Sequence, residues 1–347
     1  MITIQSDIKQ FRGTHYELGY RQGEELKDSP ILKTRHKYWK LKRPRFHIDI
    51  QEAKSAFMHV APKIWDEFEG IADGSKQPLE NVLRDFGGYR MEPERSGCSV
   101  FVQDEFLVRN YDFQPATYDG RYMVYQPTDG GHAVIGPSSR VTGRMDGMNE
   151  HGLAIGYNFT HRKKTKDGFV CYMISRMVLE LCENVDQAVQ LLKELPHRNA
   201  FSYILLDKSG THYIIEASPR DVTVRQASEC TNHFVIQEKE NRHHIKESQA
   251  RLEKINELKP SMLTPKKAFE TFNAKGKGVF SDNYKSWSGT IHTSLYQPRE
   301  LKAWISLGGN EQPKIFDFQK WLKGNDFHQS NLTGKLETDI PIANIKK

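Results

Sequence analysis

Ser96-Gly-Cys-Ser-Val-Phe-Val-Gln-Asp-Glu-Phe-Leu-Val-Arg-Asn-Tyr-Asp112 is where the sequence changes character. Ser99 to Gln103 and Phe106 to Asn110 are short apolar runs on either side of the turn-like Asp104-Glu105, the pattern of a β-hairpin. Cys98 stands at the head of this hairpin, preceded by Gly97. Arg109 and Asp112 fall on or just past the second strand, close enough to fold back on Cys98. A guanidinium beside a thiol favours the thiolate, which is the reactive form. A carboxylate nearby can hold an ammonium or orient a donor. The spacing also fits a plainer arrangement, a core cysteine beside a surface Arg-Asp pair.

Upstream, residues 1 to about 96 read as mainly helical. Leu18, Gln22 and Leu26 share one face of the stretch from His15, with Tyr16 and Tyr20 beside it. Ala53, Ala56, Phe57, Val60, Ile64, Phe68 and Ile71 keep the helical period from Asp49 to Ala72, and Leu79 to Leu83 begins a further helix. Downstream the pattern is of strands: Met123 to Tyr125, His132 to Ile135, Leu153 to Phe159, Phe201 to Leu206, His212 to Glu216, Val222 to Arg225, His233 to Ile236, Gly289 to Tyr296 and Leu301 to Ser306. Two helices, Cys171 to Glu183 and Val185 to Leu195, intervene. Hairpin-linked strands with helices in blocks predict antiparallel sheets covered by helices, an α+β layer class.

Composition narrows the function. The 347 residues allow one large domain or two. The 18 Phe, 14 Tyr and 5 Trp supply a large core and exclude disordered or low-complexity classes. The longest apolar runs, such as Tyr203 to Leu206, are far too short to span a bilayer. The opening MITIQSDIKQFRGTHYELGY has no basic stretch leading into an apolar one, so secretion is not expected. Four scattered cysteines (Cys98, Cys171, Cys182, Cys230) form no disulfide framework and no CxxC pair, which fits a reducing cytoplasmic location. The last three are expected in the core.

A net charge of +6 raises the question of nucleic acid, but the basic residues are dispersed and only Lys33 to Arg45 is dense. A solvated face is the expected role of that run, with a helix-borne nucleic-acid contact the lesser alternative. P-loop, GxSxG, HExxH and GxGxxG signatures are all absent. His243-His244 are adjacent and cannot share a helical face, so no metal site is expected from them. Asn158-Phe-Thr160 and Asn331-Leu-Thr333 match the glycosylation sequon by chance.

Gly97-Cys98 followed by Arg109-Asn-x-Asp112 resembles the acyl-coenzyme A:6-aminopenicillanic acid acyltransferase family, autoproteolytic N-terminal nucleophile hydrolases related to choloylglycine hydrolase and penicillin V acylase. Gly13-Thr-His-Tyr-Glu-Leu-Gly-Tyr-Arg-Gln-Gly23 is similar to that group's opening signature. Gly147-Met-Asn-Glu-His-Gly-Leu-Ala-Ile-Gly-Tyr-Asn-Phe159 resembles the superfamily's Asn-Glu-x-Gly-Leu block. Thr231-Asn-His233, Ser248-Gln-Ala-Arg251 and the Thr-x-x-Ser hairpin in Trp287 to Leu301 look like its later positions. Five blocks in order carry more weight than any one.

The resemblance implies a four-layer αββα sandwich of two antiparallel sheets behind a mainly helical N-terminal segment. It also implies a chain that cuts itself between Gly97 and Cys98, giving residues 1–97, a helical pro-segment, and residues 98–347, the catalytic chain, which stay associated. Cys98 becomes the nucleophile. Its α-amino group serves as base, since such a group titrates at about 7.7–8.0. Asp112 would orient the ammonium and Arg109 would favour thiolate. Asn158 and Asn232 would donate to the oxyanion, and Arg251 would support the network. No cofactor or metal is implied. The expected substrate is a small acylated amine or peptide-like metabolite, with acyl-coenzyme A as a possible donor and neither nucleic acid nor membrane as partner. The 97 residues ahead of the nucleophile favour the acyltransferase-like group over the hydrolases, whose nucleophile lies near the chain start. An uncut, catalytically idle member that binds a small molecule or partner is the alternative.

Overall fold

The computed structural model describes all residues except 43–45, 92–96, 161–163, 242–244, 287, 341 and 343–347. Ser96, His243-His244, Trp287 and the end of the basic run therefore lie outside the described residues. The chain begins with β1 (Ile2–Gly13), α1 (His15–Lys27), α2 (Pro30–Lys42), α3 (Ile50–Val60), α4 (Pro62–Ser75) and α5 (Leu79–Phe86). Then come β2 (Ser99–Gln103), β3 (Phe106–Phe113), β4 (Arg121–Pro127), β5 (Val134–Ser139), β6 (Gly143–Arg144), β7 (Asp146–Asn149) and β8 (Ala154–Phe159). Helices α6 (Cys171–Leu181) and α7 (Val185–Glu194) precede β9 (Phe201–Leu206), β10 (His212–Ala217), β11 (Val222–Arg225) and β12 (Glu229–Cys230). The remainder is α8 (Lys246–Leu258), α9 (Pro265–Asn273), β13 (Gly289–Gln297), β14 (Lys302–Leu307), β15 (Lys314–Asp317), α10 (Phe318–Leu322) and β16 (Asn331–Leu336).

Two sheets form. The larger runs β11-β10-β9-β8-β7-β5-β4-β1-β16 and the smaller β12-β2-β3-β13-β14-β15. Strand alternation sorts side chains into three apolar layers. In β9, Phe201, Tyr203 and Leu205 face the helices α6 and α7, whereas Ile204 and Leu206 face the other sheet. In β2 and β3, Val100, Val102 and Leu107 fill the space between the sheets, while Phe101, Phe106 and Val108 meet Phe269 and Phe272 of α9. Helix, sheet, sheet, helix is thus the layer order, as the resemblance implies. Among the described strands, pairing is antiparallel except where β1 runs parallel to β4. Among the described residues, no helix is long and apolar enough to cross a membrane.

Three local expectations need correction. The helical stretch from Asp49 to Ala72 is two helices: Ala61 leaves the helical conformation (φ −143°, ψ 65°) and Pro62 starts α4, because proline lacks the N–H that would continue α3. His233 to Ile236 is not a strand; the backbone N–H groups of Val235, Ile236 and Gln237 turn onto the buried Glu216 carboxylate at 2.7, 3.0 and 2.9 Å. Ahead of the helices, Ile2–Gly13 forms a strand between β4 and β16, although few of its side chains are fully buried. The basic run lies largely on α2, where Arg35 turns inward to Asp119.

The opening signature block has a packing cause. Helices α1 and α4 cross so closely that a Cβ on Gly19 would stand 2.1 Å from the Glu67 carbonyl oxygen, and one on Gly74 would stand 2.1 Å from that of Tyr20. Beneath this crossing lies a buried charge network. Glu67 of α4 accepts from Gln22 of α1 at 2.7 Å and pairs with Arg176 of α6, whose Nε donates to Glu180 at 2.9 Å. His15 sits between Asp129 (2.8 Å) and Glu180 (3.1 Å). Burial lowers its pKa, but the Glu180 hydrogen bond and charge outweigh burial and leave it raised above its ordinary 6.5.

Gly74→Ala must push the two helices apart and is expected to cost about 1–3 kcal/mol in chemical denaturation, the range of an overpacked core. The His15 ion pairs stabilise fully below pH 6.5 and are lost as pH rises through the raised value. Melting temperature should therefore fall from neutral to mildly alkaline pH, and less steeply in His15→Gln.

Candidate active site

The β2–β3 hairpin delivers Cys98 to the middle of the molecule, where it is fully buried. Arg109 and Asp112 lie three residues apart on one strand and so project to opposite faces of the small sheet. Arg109, also fully buried, crosses the gap between the sheets. Its Nη2 donates to Cys98 Sγ at 3.3 Å and to the Tyr157 carbonyl at 2.6 Å, and its Nη1 donates to Asp146 at 2.6 Å. The rings of Tyr111 and Tyr157 lie 4.9 and 5.0 Å from the guanidinium carbon. Gly156 of β8 makes this crossing possible, since a Cβ there would come within 3.0 Å of Arg109 Cδ.

Asp146 anchors Arg109. Burial alone would raise the Asp146 pKa, but His292, Arg109 and Tyr296 together hold it well below the usual carboxylate range. His292 Nε2 lies 3.2 Å from the carboxylate, the Ser294 hydroxyl donates at 2.9 Å and the Tyr296 hydroxyl at 2.5 Å. Burial pulls the Arg109 pKa down, yet Cys98 and Asp146 together push it above its ordinary value. The guanidinium stays charged, and its coupling to the sulfur stabilises a thiolate in return.

On the opposite face, Arg251 of α8 binds the backbone around Cys98. Its Nη1 donates to the Cys98 carbonyl and to Ser99 Oγ, both at 2.8 Å, and lies 3.4 Å from the Gly97 carbonyl oxygen. Its Nη2 donates to Asn232 Oδ1 at 2.7 Å. The Asn232 backbone N–H donates to Ser248 Oγ at 2.7 Å, so the Thr231 and Ser248 blocks meet in space.

Asp112 accepts from Thr290 Oγ1 at 2.6 Å, while its other oxygen, Oδ2, is buried with no hydrogen bond and lies 3.9 Å from Arg251. Burial raises its pKa to about 7 against the opposing pull of Arg251, Thr290 and Arg109. Gly97 abuts it, with the Gly97 N–H donating to the Asp112 carbonyl at 3.1 Å. Asn158 donates to the Cys230 carbonyl at 3.0 Å and Asn232 to the Phe159 carbonyl at 2.8 Å. An amide NH2 carries two donors, so each retains a second.

Cys98, Arg109, Asp112, Asn232 and Arg251 are thus joined by direct contacts, and Asn158 adjoins them through Tyr157 and Cys230. The sequence reading missed Asp146, Thr290 and Tyr296. Asp146 stands one residue before the Gly147 block, and that adjacency was the available signal. Cys171, Cys182 and Cys230 are buried as expected, and burial raises all three pKa values, that of Cys182 to about 12. Elsewhere, His132, Glu150 and His151 offer donor atoms within 4.8 Å of one another, a spacing that could hold a metal ion.

A carboxyl whose folded pKa of about 7 exceeds its unfolded value of 3.8 binds its proton more tightly when folded. Stability therefore falls as pH rises from 3.8 toward 7. In an uncut Cys98→Ala protein, adding Asp112→Asn should flatten this fall in urea denaturation across that range.

The sequence model of the family described as acyl-coenzyme A:6-aminopenicillanic acid acyl-transferase matches residues 101–312, well over half of the chain. No curated protein matches the sequence. Among solved structures, a variant of conjugated bile acid hydrolase from Clostridium perfringens is similar at 15% identity, covering 70% of this chain and 97% of its own with a TM-score of 0.46. Penicillin V acylase from Agrobacterium tumefaciens is 13% identical, covering 65% and 86% with a TM-score of 0.41. A Caenorhabditis elegans orthologue of N-acylethanolamine-hydrolyzing acid amidase is 12% identical, covering 58% and 93% with a TM-score of 0.39. On the strength of the family match, the chain belongs to the acyl-coenzyme A:6-aminopenicillanic acid acyl-transferase family and is an amide hydrolase or acyltransferase.

Proposed function

We propose that the chain cuts itself between Gly97 and Cys98 and then acts as an N-terminal cysteine amidohydrolase or N-acyltransferase on a small acylated amine. The observation that carries this reading is the fully buried Cys98 thiol, 3.3 Å from the Arg109 guanidinium, at a peptide junction gripped by Arg251. In the precursor, Cys98 Sγ attacks the Gly97 carbonyl carbon while Arg251 stands by the carbonyl oxygen. The Gly97–Cys98 amide breaks, the thiol proton passes to the departing nitrogen, and a thioester remains. Water hydrolyses it to a Gly97 carboxylate and regenerates the thiol, now on a residue with a free α-amino group.

Asp112 supports the second half of this reading. Its Oδ2 is buried without a hydrogen bond beside Gly97, with the Arg251 guanidinium no nearer than 3.9 Å, so a cation that could donate to it directly would relieve its burial. The new α-ammonium of Cys98 is such a cation. In turnover the α-amine takes the thiol proton and the thiolate attacks the substrate carbonyl. The remaining N–H donors of Asn158 and Asn232 meet the developing oxyanion, a contribution of about 3 kcal/mol for one well-placed donor. The amine leaves with the proton, and the acyl-Cys98 thioester passes to water or to a second amine.

Intact mass under denaturing conditions tests the reading. Wild type should give fragments of 97 and 250 residues, about 11 and 29 kDa of the 40.1 kDa total, the larger beginning with Cys98. Cys98→Ala should remain whole and hydrolyse no amide. Cleavage at Gly97 in that variant would overturn the proposal, and a wild type that stays whole would point to the idle alternative.

A further inference from the structure

The turn between β7 and β8, Asn149-Glu-His-Gly-Leu153, carries side chains that the chemistry at Cys98 does not use. Asn149 is fully buried and uses its whole side-chain amide to fix the turn. Its Oδ1 accepts from the backbone N–H groups of His151 (3.1 Å) and Leu153 (3.0 Å), and its Nδ2 donates to the carbonyls of Leu179 (2.9 Å) and Cys182 (2.6 Å) at the end of α6. Gly152 (φ 80°) takes the left-handed position, with its N–H on the Asn149 carbonyl at 3.0 Å.

The pairing of β5 with β7 lays the chain just ahead of Val134 beside this turn. The Glu150 N–H donates to the Ala133 carbonyl at 2.9 Å, and the Ala133 N–H donates to Glu150 Oε1 at 2.8 Å. The His132 N–H donates to the Glu180 carbonyl of α6 at 3.0 Å. The backbone under His132, Glu150 and His151 is therefore held in place before any ligand arrives.

Their side chains converge. His151 Nε2 lies 3.1 Å from His132 Nδ1, and Glu150 Oε1 lies 3.9 Å from the same nitrogen. Two nitrogens bound to one tetrahedral ion at about 2.0–2.1 Å stand about 3.3 Å apart, close to the separation of the two rings. Without an ion that approach is an N–H···N hydrogen bond. A bound ion takes the proton's place, and the donating ring carries its proton on the other nitrogen instead. All three residues are partly exposed, so an ion can enter from solvent and complete its shell with water.

We propose that His132, Glu150 and His151 form a binding site for a zinc-class divalent transition ion, with His132 Nδ1, His151 Nε2 and a Glu150 oxygen as ligands. Imidazole nitrogens select such ions over Mg²⁺ and Ca²⁺, which take oxygen ligands. The Ala133 N–H orients the carboxylate from outside the ligand shell. The ion ties the start of β5 to the end of β7 and so braces the strand that carries Asp146. Its role is structural.

The test uses the full-length Cys98→Ala protein after chelator treatment, because the free amine and thiol of a cleaved Cys98 would themselves chelate the metal. Zn²⁺ should bind one to one in calorimetry and raise the melting temperature, and Mg²⁺ should do neither. Co²⁺ should give the visible absorption of a four-coordinate ion without the near-ultraviolet band of a thiolate ligand. Glu150→Gln keeps an oxygen for the Ala133 N–H and should weaken Zn²⁺ binding at least about tenfold. His151→Gln, and His132→Gln on the neighbouring strand, should each abolish it. Absence of saturable Zn²⁺ binding, affinity unchanged in either histidine variant, or a thiolate band with Co²⁺ would overturn the proposal.

Discussion

The buried guanidinium of Arg109 is the constraint around which the rest of the site is arranged. A charge taken wholly out of water is tolerated only when its donors are satisfied and an opposite charge stands beside it. Asp146 supplies the charge, and the Tyr157 carbonyl and Cys98 sulfur take further N–H groups. That requirement explains why β7 carries an aspartate in an apolar sheet, why β13 lines it with His292, Ser294 and Tyr296, and why β8 has a glycine where the arginine stem passes. Removing Asp146 would leave an uncompensated buried charge, so its role is inseparable from that of the arginine it holds.

The two faces of the small sheet divide the work. Between the sheets, Arg109 acts on the sulfur. On the helix-covered face, Arg251 and Asp112 act on the backbone at Gly97 and Cys98. A single extended strand provides both because residues of opposite parity project to opposite sides. The cysteine sits at the mouth of the hairpin, where it can be reached from both faces.

Much of this was legible in the sequence, for identifiable reasons. The β2–β3 hairpin and the central strands β8 and β9 announce themselves because both their faces are buried and their residues are apolar. The strand β1 does not, since Ser6 and Gln10 fall where the alternation of Ile2, Ile4 and Ile8 calls for apolar residues. Pro62 was readable as a break, but the apolar period across it was strong enough to mask it. The false strand at His233 to Ile236 is apolar in sequence, but its backbone serves the Glu216 carboxylate rather than a sheet, and Val235 and Ile236 are left exposed. Cys98, Arg109 and Asp112 stood out because they are close in sequence, and Asn232 and Arg251 through family blocks. Asp146 is functional only through a partner 37 residues away, which spacing alone does not reveal.

The strand β1 has a consequence for a chain divided after Gly97. It lies inside the large sheet, parallel to β4 on one side and antiparallel to β16 on the other. The two pieces would therefore be interwoven rather than docked, and neither could leave without opening the sheet. Denaturation of the divided protein becomes dissociation as well, so its reversal is second order. Recovery after unfolding would depend on protein concentration, whereas an uncut chain carries its own complement wherever it goes.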